Sequence, residues 1–161
     1  MIAELGHRID DPEDVRIAGS LEGGSLGDVG CYCMSGVRLS FGSEPRRASA
    51  FTRFAKDGAD EELAGVLEFD GGLGFVSCSA YSQRRERLEV VGTDGRIVLD
   101  APFPPDKAGS VMEVVRGSET ATEHFSESDP YRLELEEFAR AIREGQAPSL
   151  ARTRSSATPA L

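Results

Sequence analysis

Apolar residues recur with helical spacing in the segment that follows a glycine-rich stretch near residue 24. These apolar positions lie three or four residues apart, and they are Leu26, Val29, Cys33, Val37 and Phe41. Because this spacing places side chains on one face of a helix, the sequence predicts a helix over residues 26–41. Gly42 predicts its end, since glycine readily adopts the left-handed conformation of the residue that follows a helix.

The middle of the chain consists of short runs in which apolar and polar residues alternate, a pattern typical of β-strands. We expect five to seven such strands, and the candidate segments are residues 47–54, 63–69, 74–81, 87–91, 96–99, 111–115 and 120–125. Glycines after Asp70 and Asp94 favour tight turns between neighbouring strands. A short strand before the turn around Pro12 is a further expectation.

A second helix is predicted between Asp129 and Gly145. Asp129 can cap its N-terminus, Pro130 suits the first helical position, and Gly145 can end the helix. Apolar side chains form one stripe along this helix, and they are Tyr131, Leu135, Phe138 and Ile142.

The order of elements is helix, hairpin-linked strands, helix, without the alternation of strand and helix that builds parallel sheets. The predicted fold is therefore α+β, an open, mainly antiparallel β-sheet with helices on one face. Residues 1–150 are expected to form a single domain. Residues 151–161 have no apolar periodicity and are expected to be a disordered tail.

The amino-acid composition excludes two classes of binding partner. Among 161 residues, 28 are acidic and 18 basic, which gives a net charge of −10 and a surface that repels nucleic-acid phosphates. Apolar runs are too short to span a membrane, and the first residues do not resemble a signal peptide. We therefore expect neither a nucleic acid nor a membrane as partner.

The three cysteines are sparse and irregularly spaced, which does not suggest a disulfide framework or a metal site. We interpret Cys31, Cys33 and Cys78 as free thiols, buried or half-buried, and expect the reducing cytoplasm as the compartment.

Candidate chemistry is concentrated where the glycine-rich stretch enters the first helix. Asp28 and Tyr32 are four residues apart and so share one helix face, which suggests a proton-handling or hydroxyl-binding site. Taken singly, Asp28 is explained by the helix dipole and Tyr32 by a place at the edge of the core. The glycines match neither GxGxxG nor GxxxxGK[ST], and a turn that lets helix and sheet approach closely also explains them.

Four pieces of the chain, in order, resemble the C-terminal domain of the Gfo/Idh/MocA oxidoreductases. The first is the glycine stretch Gly23-Gly-Ser-Leu-Gly-Asp-Val-Gly30 and its run-in Asp14-Val-Arg16, and the second is Phe41-Gly-Ser-Glu-Pro45. The third is the hairpin Leu88-Glu-Val-Val-Gly-Thr-Asp-Gly-Arg-Ile-Val-Leu99, and the fourth is the late helix that starts at Tyr131.

The resemblance implies a substrate-binding and oligomerisation domain whose open sheet pairs with another subunit as a homodimer. It implies that Asp28 and Tyr32 are catalytic, that Arg16, Gly24, Asp28 and Tyr32 contact a sugar, polyol or diol, and that NAD(P) serves the full-length enzyme. No cofactor is expected on this chain alone, because the sequence contains no segment that matches the family's Rossmann domain. No metal is expected either, because a site would need more ligands than the cysteines, and the histidines His7 and His124 lie far from them in sequence.

Several alternatives follow from the unmatched Rossmann domain. The chain is a truncated gene product, a deliberately shortened chain, or one half of a split enzyme that pairs with a separate Rossmann-domain partner. The first hypothesis is thus the C-terminal domain of an oxidoreductase. The second is a stand-alone module that binds a small molecule or dimerises without catalysis. The third is a gene remnant without a role.

Overall fold

An eight-stranded sheet forms the centre of the computed structural model, which describes residues 1–103, 109–126 and 128–147. The strands are β1 Ile2–Arg8, β2 Arg47–Phe54, β3 Asp60–Phe69, β4 Gly72–Ser79, β5 Tyr81–Val91, β6 Arg96–Asp100, β7 Ser110–Arg116 and β8 Glu119–Phe125. Their order in the sheet is β2-β3-β4-β1-β5-β6-β7-β8. The β1–β4 pair is parallel and the other six pairs are antiparallel, so the predicted α+β class with an open, mainly antiparallel sheet is confirmed.

The boundary between β4 and β5 differs from the prediction. Tyr81 is the first residue of β5, not the last residue of β4, and β5 therefore begins before the predicted residue 87. The start of β5 was missed because the charged residues 84–87 show no apolar alternation. In the structure these charges pair within the sheet, and Arg84 lies 3.1 Å from Glu86.

The first helix starts with a wider turn than the sequence predicts. Leu26–Gly30 forms one π-helical turn, and the regular helix α1 spans Cys31–Phe41. Gly42 ends it in the left-handed conformation, with a φ of 63°, and its N–H donates to the carbonyl of Arg38. The predicted end is confirmed, and α1 packs against β1, β4 and β5.

The core lies between α1 with its π turn and the central strands. Its buried residues come from both layers, and they are Ala3, Leu5, Val29, Cys33, Val37, Leu63, Leu67, Phe69, Val76 and Cys78. Ala3, Leu5 and Val76 face α1, so the alternate residues Ile2 and Phe75 lie on the opposite face of the sheet.

Helix α2, Pro130–Glu144, has the predicted capping residues. The Asp129 carboxylate accepts the backbone N–H of Arg132 at 3.0 Å, and Gly145 closes the helix with a φ of 64°. Its four stripe side chains are 60–68% exposed, and Ala141 is its buried residue. The apolar stripe of α2 is therefore largely uncovered by the described residues. The predicted tail 151–161 lies outside them.

Candidate functional site

Asp28 and Tyr32 lie where the π turn passes into α1. Asp28 is the third residue of the π turn and Tyr32 the second residue of α1. The Asp28 carboxylate is largely buried, whereas Tyr32 is 43% exposed. The negative charge of Asp28 is among the influences that raise the pKa of Tyr32, so the two groups interact electrostatically. Their joint role at a site remains a prediction.

A carboxylate from β3 holds the glycine-rich stretch in place. Asp60 Oδ2 accepts hydrogen bonds from Ser25 Oγ and from the backbone N–H of Leu26, each at 2.7 Å. A Cβ on Gly24 would lie 2.0 Å from Asp60 Oδ1, so Gly24 is needed for this close approach. Its predicted contact with substrate remains a prediction.

The glycine-rich stretch does not suit a cofactor pyrophosphate. The Asp60 carboxylate already binds the Leu26 N–H at the start of the helical run, and its negative charge opposes a phosphate there. Gly30 packs against the Cys78 thiol, where a Cβ would lie 2.9 Å from Sγ, so this glycine serves close packing. The glycine-rich stretch therefore does not fit the pyrophosphate of NAD(P).

Arg16 is held beside the site by Asp14. Its Nε and Nη2 donate to the two Asp14 carboxylate oxygens at 3.0 and 2.7 Å, which is a bidentate pair. The hydrogen bonds from Arg16 lower the pKa of Asp14 to about 2, and the pKa of Arg16 is raised in return. Asp28 contributes to that rise, which indicates that the Arg16 guanidinium lies within electrostatic reach of Asp28.

The surroundings of Tyr32 keep its phenol protonated. Burial raises the pKa of Tyr32, and the acidic groups of Cys31, Tyr131, Asp28 and Glu134 add to the effect. The ring of Phe103 lies beside it, with the centroids 6.1 Å apart. Within this chain the phenol is therefore a hydrogen-bond donor or an acid, since a base would require a neighbouring cation to lower its pKa.

His7 is a member of this cluster that the sequence analysis missed. Its Nε2 lies 3.3 Å from Asp28 Oδ2, and both atoms are shielded from solvent. Three residues of β5 stand opposite His7, because the β1–β5 register shifts between Gly6 and Arg8. The sequence could have indicated the burial of His7. Ala3 and Leu5 of β1 face the core, and position 7 continues the same face of the strand.

The cysteines are free thiols, as predicted, but the expectation that all three are buried or half-buried is wrong for Cys31. Cys31 is exposed, while Cys33 and Cys78 are buried. Burial raises the pKa of Cys33 to about 12. Within residues 1–103, 109–126 and 128–147, no three of the His, Cys, Asp and Glu side chains come together as a metal site. Neither helix in the described ranges is long and apolar enough to cross a membrane.

Known proteins share this fold and much of this sequence. The family model described as the GFO/IDH/MocA C-terminal domain matches residues 3–98, which is more than half of the chain. A D-xylose 1-dehydrogenase (NADP(+)) of Haloferax volcanii is 38% identical over 149 residues, which cover 91% of this chain and 46% of that protein. A trans-1,2-dihydrobenzene-1,2-diol dehydrogenase of Sus scrofa is 36% identical over 86 residues, or 52% of this chain and 26% of that protein.

The solved structures agree on the fold. The aldose-aldose oxidoreductase of Caulobacter crescentus, crystallised with glycerol, superposes with a TM-score of 0.82 at 22% identity. The match covers 93% of this chain and 47% of that one. The chain thus spans about half the length of such relatives.

Proposed function

Because the chain belongs to the GFO/IDH/MocA oxidoreductases and matches their C-terminal domain, we propose that it is the substrate-binding and oligomerisation part of an NAD(P)-dependent enzyme. The substrate class is a sugar, polyol or diol. The observation that carries the proposal is the cluster of a carboxylate, a protonated phenol and a guanidinium at one end of α1. The named relatives act on a pentose and on a diol, which fits this cluster.

The cluster is chemically suited to an alcohol. Asp28 accepts a hydrogen bond from a substrate hydroxyl and thereby orients the carbon that bears it. Tyr32 donates its phenol proton to a substrate oxygen, which suits the reduction of a carbonyl. Two Arg16 nitrogens already bind Asp14, and Nη1 is the guanidinium nitrogen left to bind a further hydroxyl.

We assign the cofactor to a separate nucleotide-binding domain, because the glycine-rich stretch does not fit a pyrophosphate. The nicotinamide supplies the hydride chemistry there. For oxidation, Tyr32 has to act as a base, and the resemblance implies that a lysine of that domain provides the cation. The apolar stripe of α2, left exposed here, gives such a domain a surface to pack on.

The outer face of the sheet supports a homodimer. Ile2, Phe51 and Phe75 are exposed apolar residues on this face, and they line a shallow concavity of about 460 Å³. A patch of this kind at the surface of a sheet is typical of association between subunits. The same face favours the second candidate function, a stand-alone dimerisation or small-molecule-binding module without catalysis. The free thiols suit the cytoplasm as compartment.

The proposal is tested by titrating the purified chain with D-xylose, NADH and NADPH. We expect saturable sugar binding in saturation-transfer NMR and no change in nicotinamide fluorescence. Tyr32→Phe should weaken sugar binding several-fold, because it removes the donor, whereas Tyr81→Phe should leave it unchanged. Tyr81 is a matched control at 41% exposure. Nicotinamide binding by the chain alone would overturn the assignment of the cofactor to another domain.

Activity distinguishes the two candidate functions. If the chain is part of an oxidoreductase, mixing it with a nucleotide-binding domain of the family should give NAD(P)-dependent sugar oxidation. Tyr32→Phe should then lower kcat roughly tenfold or more, in the range of a lost general acid or base. A dimer that binds sugar and stays inactive with every such domain would favour the stand-alone module.

A further inference from the structure

His7 and Asp28 form a contact that the surrounding chain does not explain. His7 Nε2 and Asp28 Oδ2 are 3.3 Å apart, yet the contact does not meet the geometry of a hydrogen bond. Both atoms are shielded from solvent and have no other hydrogen-bond partner among the described residues. Two buried polar atoms left in this state are costly, and an Nε2–H that donates to the carboxylate would remove that cost.

The other charged neighbour of Asp28 makes no direct contact with it. Arg16 lies within electrostatic reach of Asp28, but among the described residues its guanidinium hydrogen bonds and its ion pair are made to Asp14. His7 is therefore the neighbour in a position to bind the buried Oδ2. It comes from β1, so the contact ties the π turn to the centre of the sheet.

We propose that His7 is a positioning residue for Asp28, with its Nε2–H donating to Oδ2 and leaving Oδ1 to accept a substrate hydroxyl. This inference rests on the proposed function, because it assigns the hydroxyl-binding oxygen of that same site. It also explains why a histidine continues the buried side of β1 after Ala3 and Leu5: an apolar side chain there would leave Oδ2 without a donor.

The contact itself is tested by NMR of the ¹⁵N-histidine-labelled chain. The chain has two histidines, and the exposed His124 of β8 serves as the internal reference. We expect one imidazole Nε2–H signal that is protected from exchange with water, assigned to His7. Asp28→Ala should remove the protection, and the control Asp14→Asn should retain it. Absence of a protected signal, or its persistence in Asp28→Ala, would overturn the proposal whether or not the chain binds sugar.

The role in binding is tested with D-xylose as the probe. His7→Phe keeps a ring of similar size but removes the donor, and we expect it to weaken D-xylose binding about tenfold. His7→Gln restores an N–H donor and should recover affinity to within about threefold of the wild type. A His7→Phe variant that binds the sugar as well as the wild type does would refute the positioning role. If the wild type shows the protected N–H but binds no D-xylose, the contact stands and the proposed substrate class fails.

Discussion

The three thiols have different surroundings although two of them are near neighbours on α1. Cys31 is exposed, whereas Cys33 and Cys78 are buried in the core, and burial raises the pKa of all three. Since the thiolate is the reactive form, exposure decides which thiol reacts with a disulfide reagent. We expect one thiol to be modified by Ellman's reagent in the folded chain at pH 8 and three after denaturation.

Substitutions identify the reactive thiol. Cys31→Ser should abolish the labelling of the folded chain, while Cys78→Ser should leave it unchanged. The measurement is the absorbance at 412 nm over time. Rapid reaction of two or more thiols without denaturant would contradict the burial of Cys33 and Cys78.

At this same scale, the sequence reveals neighbours along a helix more readily than neighbours across the fold. Asp28 and Tyr32 could be singled out because helical spacing makes residues four apart neighbours. His7 could not be paired with Asp28 from the sequence, because 21 positions separate them and the contact depends on the packing of the π turn on β1. The sequence does indicate that His7 lies on the buried side of a strand, because it continues the alternation of Ala3 and Leu5.

Among the elements, the glycine-rich stretch allows a direct test of whether a glycine is needed for close packing. Gly24 is held against Asp60, with a φ of 155°, while nothing lies within 4 Å of a Cβ placed on Gly27. We expect Gly24→Ala to lower the free energy of unfolding by about 1–3 kcal/mol, since the methyl group would displace the Asp60 carboxylate. Gly27→Ala should leave stability unchanged or raise it by up to about 1 kcal/mol.

Urea unfolding followed by circular dichroism measures both variants. Both changes add a methyl group, Gly24→Ala seven positions before the start of α1 and Gly27→Ala four positions before it. Their difference therefore reports the cost that is specific to Gly24, which combines the close approach to Asp60 with the positive φ. Equal stabilities for the two variants would show that the carboxylate moves aside at little cost and that Gly24 is not needed for the approach.

Capping residues and turns explain why most elements were predictable. Asp129, Gly145 and Gly42 act locally, so α2 and the end of α1 could be placed from the sequence alone. The π turn before α1 was not predictable from local sequence, and the Asp60 carboxylate that binds its first N–H belongs to β3, which is distant in sequence. The early part of β5 was not predictable for a similar reason, since Arg85 meets its partners Glu4 of β1 and Ser77 of β4 only once the sheet is assembled.

At the scale of the whole molecule, the described residues cover one face of the sheet and leave the other open. Helix α1 and the π turn cover the inner face of the central strands β1, β3, β4 and β5, which carries the buried core. The outer face exposes Phe51 at 86%, with Phe75 and Ile2 nearby. A second copy of the chain would cover these apolar side chains and remove them from water, which is the main driving force for association. We therefore expect a homodimer at micromolar concentrations.

Phe51 is the residue to change, because it is the most exposed of the three and pairs with Ala64 on the outer face. Phe51→Arg should convert the dimer to a monomer in size-exclusion chromatography with light scattering, since a dimer would bury the two new charges. Leu39→Arg is the matched control: Leu39 is 80% exposed on α1, away from the outer face, and its change should leave the dimer intact. A wild-type chain that is monomeric at millimolar concentration would refute association through the sheet, and a dimer that survives Phe51→Arg would place the interface elsewhere, with the exposed stripe of α2 as the next surface to test.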